Sequence, residues 1–370
     1  MNIALIHEWL VTQAGAESVL QSIYKLFPGD IHSLFHDPDE LVKSIWDNVP
    51  VKTSLLQRLP LARKHHRIFL PLFPMAIEQF DLREYNLVIS SSYAVAKGVL
   101  TSSDQLHICY CHSPMRYIWD LTFEYLEAAG LNGGLKSFLV RLILHYIRLW
   151  DSTSSHRVNA FAANSNYIAH RIKKCYNRDA KVIYPPVDVD RFAISDRRDN
   201  YFITVSRLVP YKRLDLAVDA FNELGLPLLV VGEGPARKDL MRRAKKNITF
   251  LGHISASEVE TYMAGARAFV FCAEEDFGIV NVEAQAAGIP VIAFGRGGAL
   301  ETIIDGKTGL FFYKHTVESL INSVRTFLST EHLFDPEKIR KNALRFPRSR
   351  FEKEFKKFID DAWERFPYKQ

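Results

Sequence analysis

The stretch Ala273–Gly298, "AEEDFGIVNVEAQAAGIPVIAFGRGG", decides how the chain is read. It sets two acids, Glu275 and Glu283, on either side of a glycine-bearing turn. The preceding "AFVFC" reads as a strand, "AEEDFG" as the loop at its carboxyl end, "IVNVEAQAAG" as a helix closed by Gly288, and "PVIAF" as the next strand. Glu275 therefore falls at a strand's carboxyl end and Glu283 about two helical turns further on. The amides around Phe277, Gly278 and Ile279 would be first-turn donors with no intrahelical partner, and the helix dipole favours negative charge there. A carboxylate only accepts hydrogen bonds, and its two oxygens suit the neighbouring hydroxyls of a ribose or a hexose. The plainer alternative makes Glu275 an acid favoured by the dipole and Glu283 a solvated helix residue.

The same alternation extends outward in both directions. "NIALIH", a helix from about Ala16 to Leu26, "LVIS", "LHICYC", "AFAANS" and "KVIYPP" occupy the first half. After the polar "AISDRRDN" the pattern restarts with "YFITVS", a helix near Leu214 to Leu224, "PLLVVG" and "ITFLG". Parallel strands with crossover helices follow from this alternation. The chain has 370 residues, 48% of them hydrophobic, enough for two cores. The expected organisation is an α/β fold of two Rossmann-like domains facing an interdomain cleft, residues 1–190 and 191–348. "SRFEKEFKKFIDDAWERF" carries Phe351, Phe355, Phe358, Ile359 and Trp363 at helical spacing, so 349–370 is expected to pack as a helix on the first domain.

Composition excludes several classes. A formal net charge of +5 is far from the concentrated footprint of a nucleic-acid binder. Four cysteines, two of them in "CYC" at Cys109 and Cys111, lack paired-ligand zinc spacing and the density of a disulfide scaffold, which suits a reducing compartment. "MNIALIHEWL" meets an acid and a Trp too early for a signal peptide. No apolar run is long enough to span a bilayer.

Three further stretches bear on chemistry. "VSRLVPYKRLDLAV" puts Arg207 and Lys212 in the loop leaving a strand, two cations able to neutralise a diphosphate; a solvated basic loop is the alternative. "VVGEGP" ends another strand with Gly232 and Gly234, where backbone can approach a ligand, or simply turn. "IDGKTG" lacks the first glycine of a phosphate loop, having Glu301 in its place, and reads as a hairpin turn.

The order of "SRLVPYKRLDLAV", "VVGEGP", "EDFGIVNVEAQAAGIPVIAFGRGG" and "DGKTG" resembles glycosyltransferase family 4, retaining enzymes of the GT-B fold that use nucleotide-sugar donors. The resemblance implies that Glu275 holds hydroxyls of the donor sugar and Glu283 the ribose diol. It assigns the diphosphate to Arg207 and Lys212 with amides near Gly278 and Ile279, and the donor's surroundings to Gly15, Gly232, Gly234, Phe277 and Val280. Asn281 stands where the family often has Pro, and Ala14 replaces the first of two paired glycines. "YCHSPMRYIWD" looks like the "HTPMRYxWD" of members that build bacterial surface polysaccharides, many of them mannosyltransferases. By that likeness His112 is catalytic or meets the sugar, and Arg116, Trp119 and Asp120 lie on the acceptor side. From the residues alone, a strand-end histidine is structural, and the other three are packing or loop anchors.

No cofactor is expected. No Asp-x-Asp metal-binding stretch is read in the chain, so charge on the departing nucleotide falls to Arg207, Lys212 and helix-end amides and catalysis is expected to be metal-independent. "VKTSLLQRLPLARKHHRIFLPLFP" and "GGLKSFLVRLILHYIRLW" mix Arg63, Lys64 and Arg67, and Arg141, His145 and Arg148, with apolar residues, as a protein resting on an anionic membrane would; half-buried helices with solvated stripes are the alternative. The expected protein is a cytoplasmic, peripheral transferase moving mannose from GDP-mannose to a lipid-linked glycan. Its rivals are a transferase of UDP- or dTDP-sugars, a sugar-nucleotide epimerase of the same fold, and a non-catalytic sugar-nucleotide sensor.

Overall fold

A computed structural model describes residues 1–41, 45–60 and 62–368, without the side chains of Asn48, Arg63, Lys64 and Ala128. The chain divides into two compact units, Met1–Pro186 with Ser349–Gln370, and Val187–Arg348.

The first unit is built on seven parallel strands: β1 (Ile3–Leu10), β2 (Asp30–His36), β3 (Val51–Thr53), β4 (Leu87–Ser92), β5 (Leu106–Cys111), β6 (Ala160–Ala163) and β7 (Ala180–Val182). Their spatial order is β3-β2-β1-β4-β5-β6-β7. In the middle of the sheet Leu5 pairs with Ile31 on one side and Ile89 on the other. Strands buried on both faces read as largely apolar runs, and β4 and β5 are buried throughout, their polar Ser90 Oγ and His107 Nε2 bonded to each other at 2.9 Å. Period-two alternation then sends Ala4 and Ile6 to one core, with Leu144 and Ile147 of the Gly134–Ser154 helix, and Leu5 to the other. That second core also takes Phe351, Phe355 and Ile359 of the Arg348–Arg365 helix. The Tyr110 ring meets Phe351 at 5.7 Å and Phe355 at 5.9 Å.

The second unit has six parallel strands, β8 (Phe202–Val205), β9 (Leu228–Val231), β10 (Ile248–Gly252), β11 (Phe269–Phe271), β12 (Val291–Phe294) and β13 (Gly309–Phe312), in the order β10-β9-β8-β11-β12-β13. Phe202, Phe221, Val270, Ile292 and Phe327 share its core. The Leu214–Leu224 helix ends where sequence spacing puts it, at Gly225 in the left-handed region with φ 68°.

Three strands escape the sequence reading. β2 hides because His32 and Ser33 interrupt its apolar run; both are buried, His32 Nε2 bonding the Tyr85 hydroxyl at 3.2 Å and Ser33 Oγ donating to the Phe35 carbonyl at 3.0 Å. β3 is only three residues long. β13 follows "IDGKTG", which is not a hairpin: β13 pairs with β12 in parallel, so the turn merely leads into a strand of the same sense.

In each sheet the chain order reverses once, between β1 and β4 in the first unit and between β8 and β11 in the second. Loops leaving the two strands at such a point diverge to opposite faces and leave a crevice outside the carboxyl ends, where open α/β sheets bind ligands.

Candidate functional site

At the second unit's reversal, β8 leads to Arg207, exposed, and to Lys212 at the end of the short Pro210–Lys212 turn, while β11 leads to Glu275. The Lys212 ammonium and the Glu275 carboxylate form an ion pair with each other. The cation expected on a diphosphate and the acid expected on sugar hydroxyls are thus brought together, each partly neutralised by the other.

Glycines hold both loops. Gly232 and Gly234 have φ of 127° and 159°, and a Cβ on them would lie 2.0 Å from the Ser206 carbonyl oxygen and 2.3 Å from that of Leu208. The Leu208 N–H donates to the Glu233 carbonyl at 2.9 Å and the Ala236 N–H to that of Leu208 at 3.0 Å. The close approach that these glycines permit is therefore taken up by the loop of Arg207, where the sequence reading allowed it to a ligand. Gly297 and Gly298 do the same for Glu275. A Cβ on Gly297 would stand 2.3 Å from the Glu275 carbonyl oxygen, which accepts the Gly298 N–H at 2.8 Å. Sequence reasoning missed this pair, although adjacent glycines after a strand were the available signal.

The Ile279–Ala286 helix starts at Gly278, whose φ of 81° turns the chain into its first turn. The Phe277 side chain is buried against Phe346, ring centroids 5.4 Å apart, so that residue can offer a ligand only its backbone. Ile279 and Val280 are partly exposed at the helix start. Asn281 is fully buried, and neither atom of its amide has a partner among the described residues.

Glu283 lies on the same helix, and its carboxyl is raised to about 7. Burial is the chief cause; Asp188 and Glu260 push the same way, against the nearby Arg191. Because the folded-state value lies above the ordinary 4.5, the stability this group contributes is fully present below that value and is lost as pH rises through about 7. Ligand binding has the opposite sign, since only the ionised form accepts two hydroxyls. Affinity for a nucleotide sugar should rise about tenfold from pH 6 to pH 8, and Glu283→Gln should bind more weakly and without that slope. Calorimetric titration with a nucleotide sugar, whose phosphates do not titrate in this range, checks it; an unchanged slope in the variant removes Glu283 from the site.

At the first unit's reversal His7 of β1, Ser91 of β4 and His112, just past the end of β5, come together. His112 Nε2 and Ser91 Oγ lie 2.9 Å apart, and the imidazole meets the edges of Tyr93 and Tyr110 at 6.0 and 5.1 Å. Burial, helped by the charge of His7, pushes its pKa down to about 3, so it is neutral. His7 faces two acceptors, donating from Nδ1 to the Ser91 carbonyl at 3.1 Å and facing Glu17 Oε1 from Nε2 at 3.3 Å. Burial alone would lower its pKa, but the Glu17 bond and the charges of Glu17 and Glu8 prevail and raise it. The other Glu17 oxygen accepts the Ala14 N–H at 2.9 Å, tying the loop before Gly15, which opens the Gly15–Leu26 helix, to the same cluster. His7, Glu17 and Ser91 were missed in the sequence because they come from separate segments with no shared spacing.

The residues read as acceptor-side mostly anchor their own loop. Trp119 Nε1 donates to Asp151 Oδ2 at 2.8 Å, and Asp120 pairs with Arg171. Asp151 is fully buried, pairs with the equally buried Lys97, and also accepts the Tyr176 hydroxyl at 2.9 Å. Arg116 is partly exposed in this segment. Arg148 is not part of a solvated stripe: its Nε donates to the Ile118 carbonyl at 2.6 Å and its guanidinium lies over Trp119. Arg67 is exposed, while the Arg63 and Lys64 side chains lie outside the described residues.

Two Asp-x-Asp tripeptides do occur, Asp37-Pro38-Asp39 and Asp188-Val189-Asp190. Asp188 accepts from Arg348 Nε and Nη2 at 2.9 and 2.8 Å. Among the described residues no cluster of three or more His, Cys, Asp or Glu is placed to hold a metal ion.

Residues 188–346 match the family model of glycosyl transferases group 1. A GDP-mannose-dependent alpha-(1-6)-phosphatidylinositol monomannoside mannosyltransferase of Mycobacterium tuberculosis is 32% identical over 196 residues, 44% of this chain and 51% of that protein. The alpha-1,3/1,6-mannosyltransferase alg2 of Schizosaccharomyces pombe is 24% identical over 275 residues, 61% of this chain and 52% of its own length. The chain thus spans about half the length of these curated relatives. The crystal structure of Anabaena Alr3699/HepE in complex with UDP superposes with a TM-score of 0.73 at 17% identity, covering 98% of this chain and 100% of that one. The fold is therefore that of the GT-B proteins, two Rossmann-like units each on a parallel sheet. The second unit is similar to glycosyl transferases group 1, and the likeness of the chain to family 4, with mannosyltransferases among its relatives, stands.

Proposed function

We propose that the chain is a retaining glycosyltransferase that moves mannose from GDP-mannose onto a lipid-linked glycan of a bacterial surface polysaccharide, working at the inner face of the cytoplasmic membrane. The observation that carries the proposal is the meeting of Lys212, Glu275 and the start of the Ile279–Ala286 helix beside the reversal of a group 1 domain's sheet, with Arg207 on the adjoining loop. Those groups match the parts of a nucleotide sugar: cations and helix-start amides for the diphosphate, Glu275 for sugar hydroxyls, Glu283 for the ribose. The binding of donor would exchange the Lys212–Glu275 pair for contacts of each with substrate. As the glycosidic bond to phosphate breaks, Arg207, Lys212 and the amides offset the developing charge, so no divalent ion is called for. Attack from the same face, with the leaving phosphate taking the acceptor's proton, needs no enzymatic nucleophile. The name of the mycobacterial relative supports GDP-mannose and a lipid-borne acceptor, and that of the yeast relative supports mannosyl transfer. The UDP held by the Anabaena protein favours the second reading, a UDP-sugar donor.

A thermal-shift series in excess EDTA separates these readings. GDP should stabilise the protein by about 2.7 kcal/mol at a hundredfold excess over its Kd. GMP, lacking the second phosphate, should act far more weakly, and transfer from GDP-mannose to a membrane lipid extract should persist in EDTA. Equal effects of GDP and GMP would remove the two cations from the diphosphate, a win for UDP would end the mannose assignment, and loss of transfer restored by manganese would end the metal-free chemistry.

A further inference from the structure

The Gly134–Ser154 helix is apolar on two opposite sides. Its inner side sends Leu144 and Ile147 into the first unit's core. On the outer side Leu135, Phe138, Leu139, Leu142, Tyr146 and Leu149 are each between 49% and 74% exposed. At about 100° per residue these six fall within an arc of roughly 100°, one continuous stripe diametrically opposite the buried one. A monomeric soluble surface seldom carries so many large apolar side chains in a row. Arg141, His145 and the tethered Arg148 run along one flank of the stripe, and Lys136 stands on the other. From Gly134 to Trp150 the helix has no acid, and Asp151 is buried.

We infer that this outer face inserts into the interfacial layer of an anionic bilayer. Apolar side chains in a stripe with cations alongside fit a helix lying in the membrane plane, and no helix of the described residues is long and apolar enough to cross it. The charge pattern disfavours a second copy as the occupant, because a two-fold contact along this face would set Arg141 and His145 against the cations of its mate. The inference rests on the lipid-linked acceptor only for why the protein visits a bilayer. It replaces docking by charge alone, since Arg148 is engaged within the fold and the exposed stripe beside it is apolar.

Co-sedimentation with phosphatidylglycerol-containing and phosphatidylcholine vesicles, at low and high salt, tests it. Salt screens the cations but not the insertion, so binding should weaken yet persist at high salt. Leu139→Ser with Leu142→Ser should lower partitioning at least about tenfold. Lys136→Gln with Arg141→Gln should abolish the preference for phosphatidylglycerol and leave the salt-resistant part. In Leu142→Trp the introduced indole should shift to the blue on vesicles and be quenched by brominated acyl chains. Complete release of the parent protein by salt, equal binding of the double serine variant, or no quenching would overturn the inference. So would a dimer in sedimentation that Leu142→Ser dissolves while vesicles go unbound. Unchanged GDP-induced thermal shifts in each variant show that the fold is intact and keep this outcome separate from failure of the donor assignment.

Discussion

His112→Ala should lower turnover about a hundredfold to a thousandfold while leaving GDP affinity nearly unchanged. Loss of one preorganised polar group at a reacting centre costs about 2.7–4 kcal/mol of transition-state stabilisation, which is that range of rate. Binding is spared because His112 belongs to the first unit, whereas Arg207, Lys212 and Glu283 all belong to the second. The geometry adds a pH condition. His112 is neutral, its pKa near 3, so its own titration does not shape activity between pH 6 and 9. His112→Asn, which keeps a hydrogen-bonding group, should recover part of the loss. Steady-state kinetics beside GDP calorimetry decide the matter. Unchanged turnover in His112→Ala would make the residue a structural one, and a parallel loss of GDP affinity would show that it acts through the fold.

Breaking the Lys97–Asp151 pair should destabilise the first unit by about 3–5 kcal/mol, the usual result of leaving one buried charge without its counter-charge. Both groups are fully buried, and Asp151 also holds Trp119 and Tyr176. Lys97→Met leaves a buried carboxylate with two neutral donors and no cation. Lys97→Met with Asp151→Leu removes both charges and should recover most of the loss, although Trp119 and Tyr176 then lack their acceptor. Urea titration of the parent, single and double variants measures the cycle. If the single change costs less than about 1 kcal/mol, the pair is not what fixes this region. The single variant should also loosen the Arg116–Asp120 segment, and acceptor KM should rise before donor KM does.

Legibility in the sequence followed locality. The helices and strands around Glu275 and Glu283 lie in one contiguous stretch, and their order could be read because each element's period is intact. β2 was illegible because two buried polar residues, His32 and Ser33, satisfied by Tyr85 and by backbone, broke its apolar run. The glycines of "VVGEGP" were noticed, but a left-handed or open conformation does not reveal what fills the space it creates; here it is the backbone of Ser206 and Leu208. The cluster of His7, Glu17, Ser91 and His112 draws on four segments and exists only once β1, β4 and β5 are side by side. On the Gly134–Ser154 helix, charge drew attention to Arg148, whereas packing used that residue and left the leucines outside.

The return of Ser349–Gln370 to the first unit bears on how the chain is made. The second unit is an uninterrupted segment and can close on itself as soon as Arg348 has left the ribosome. The first unit cannot: the sheet face bearing Leu5, Ile89 and Ile108 gains Phe351, Phe355 and Ile359 only from residues synthesised after the second unit. During that interval a nascent chain carries an uncovered aromatic-sized groove, a natural hold for chaperones and an early target for proteases. The unit begun first is therefore completed only after the second has been made, so the closing of His112's surroundings waits on the synthesis of its neighbour.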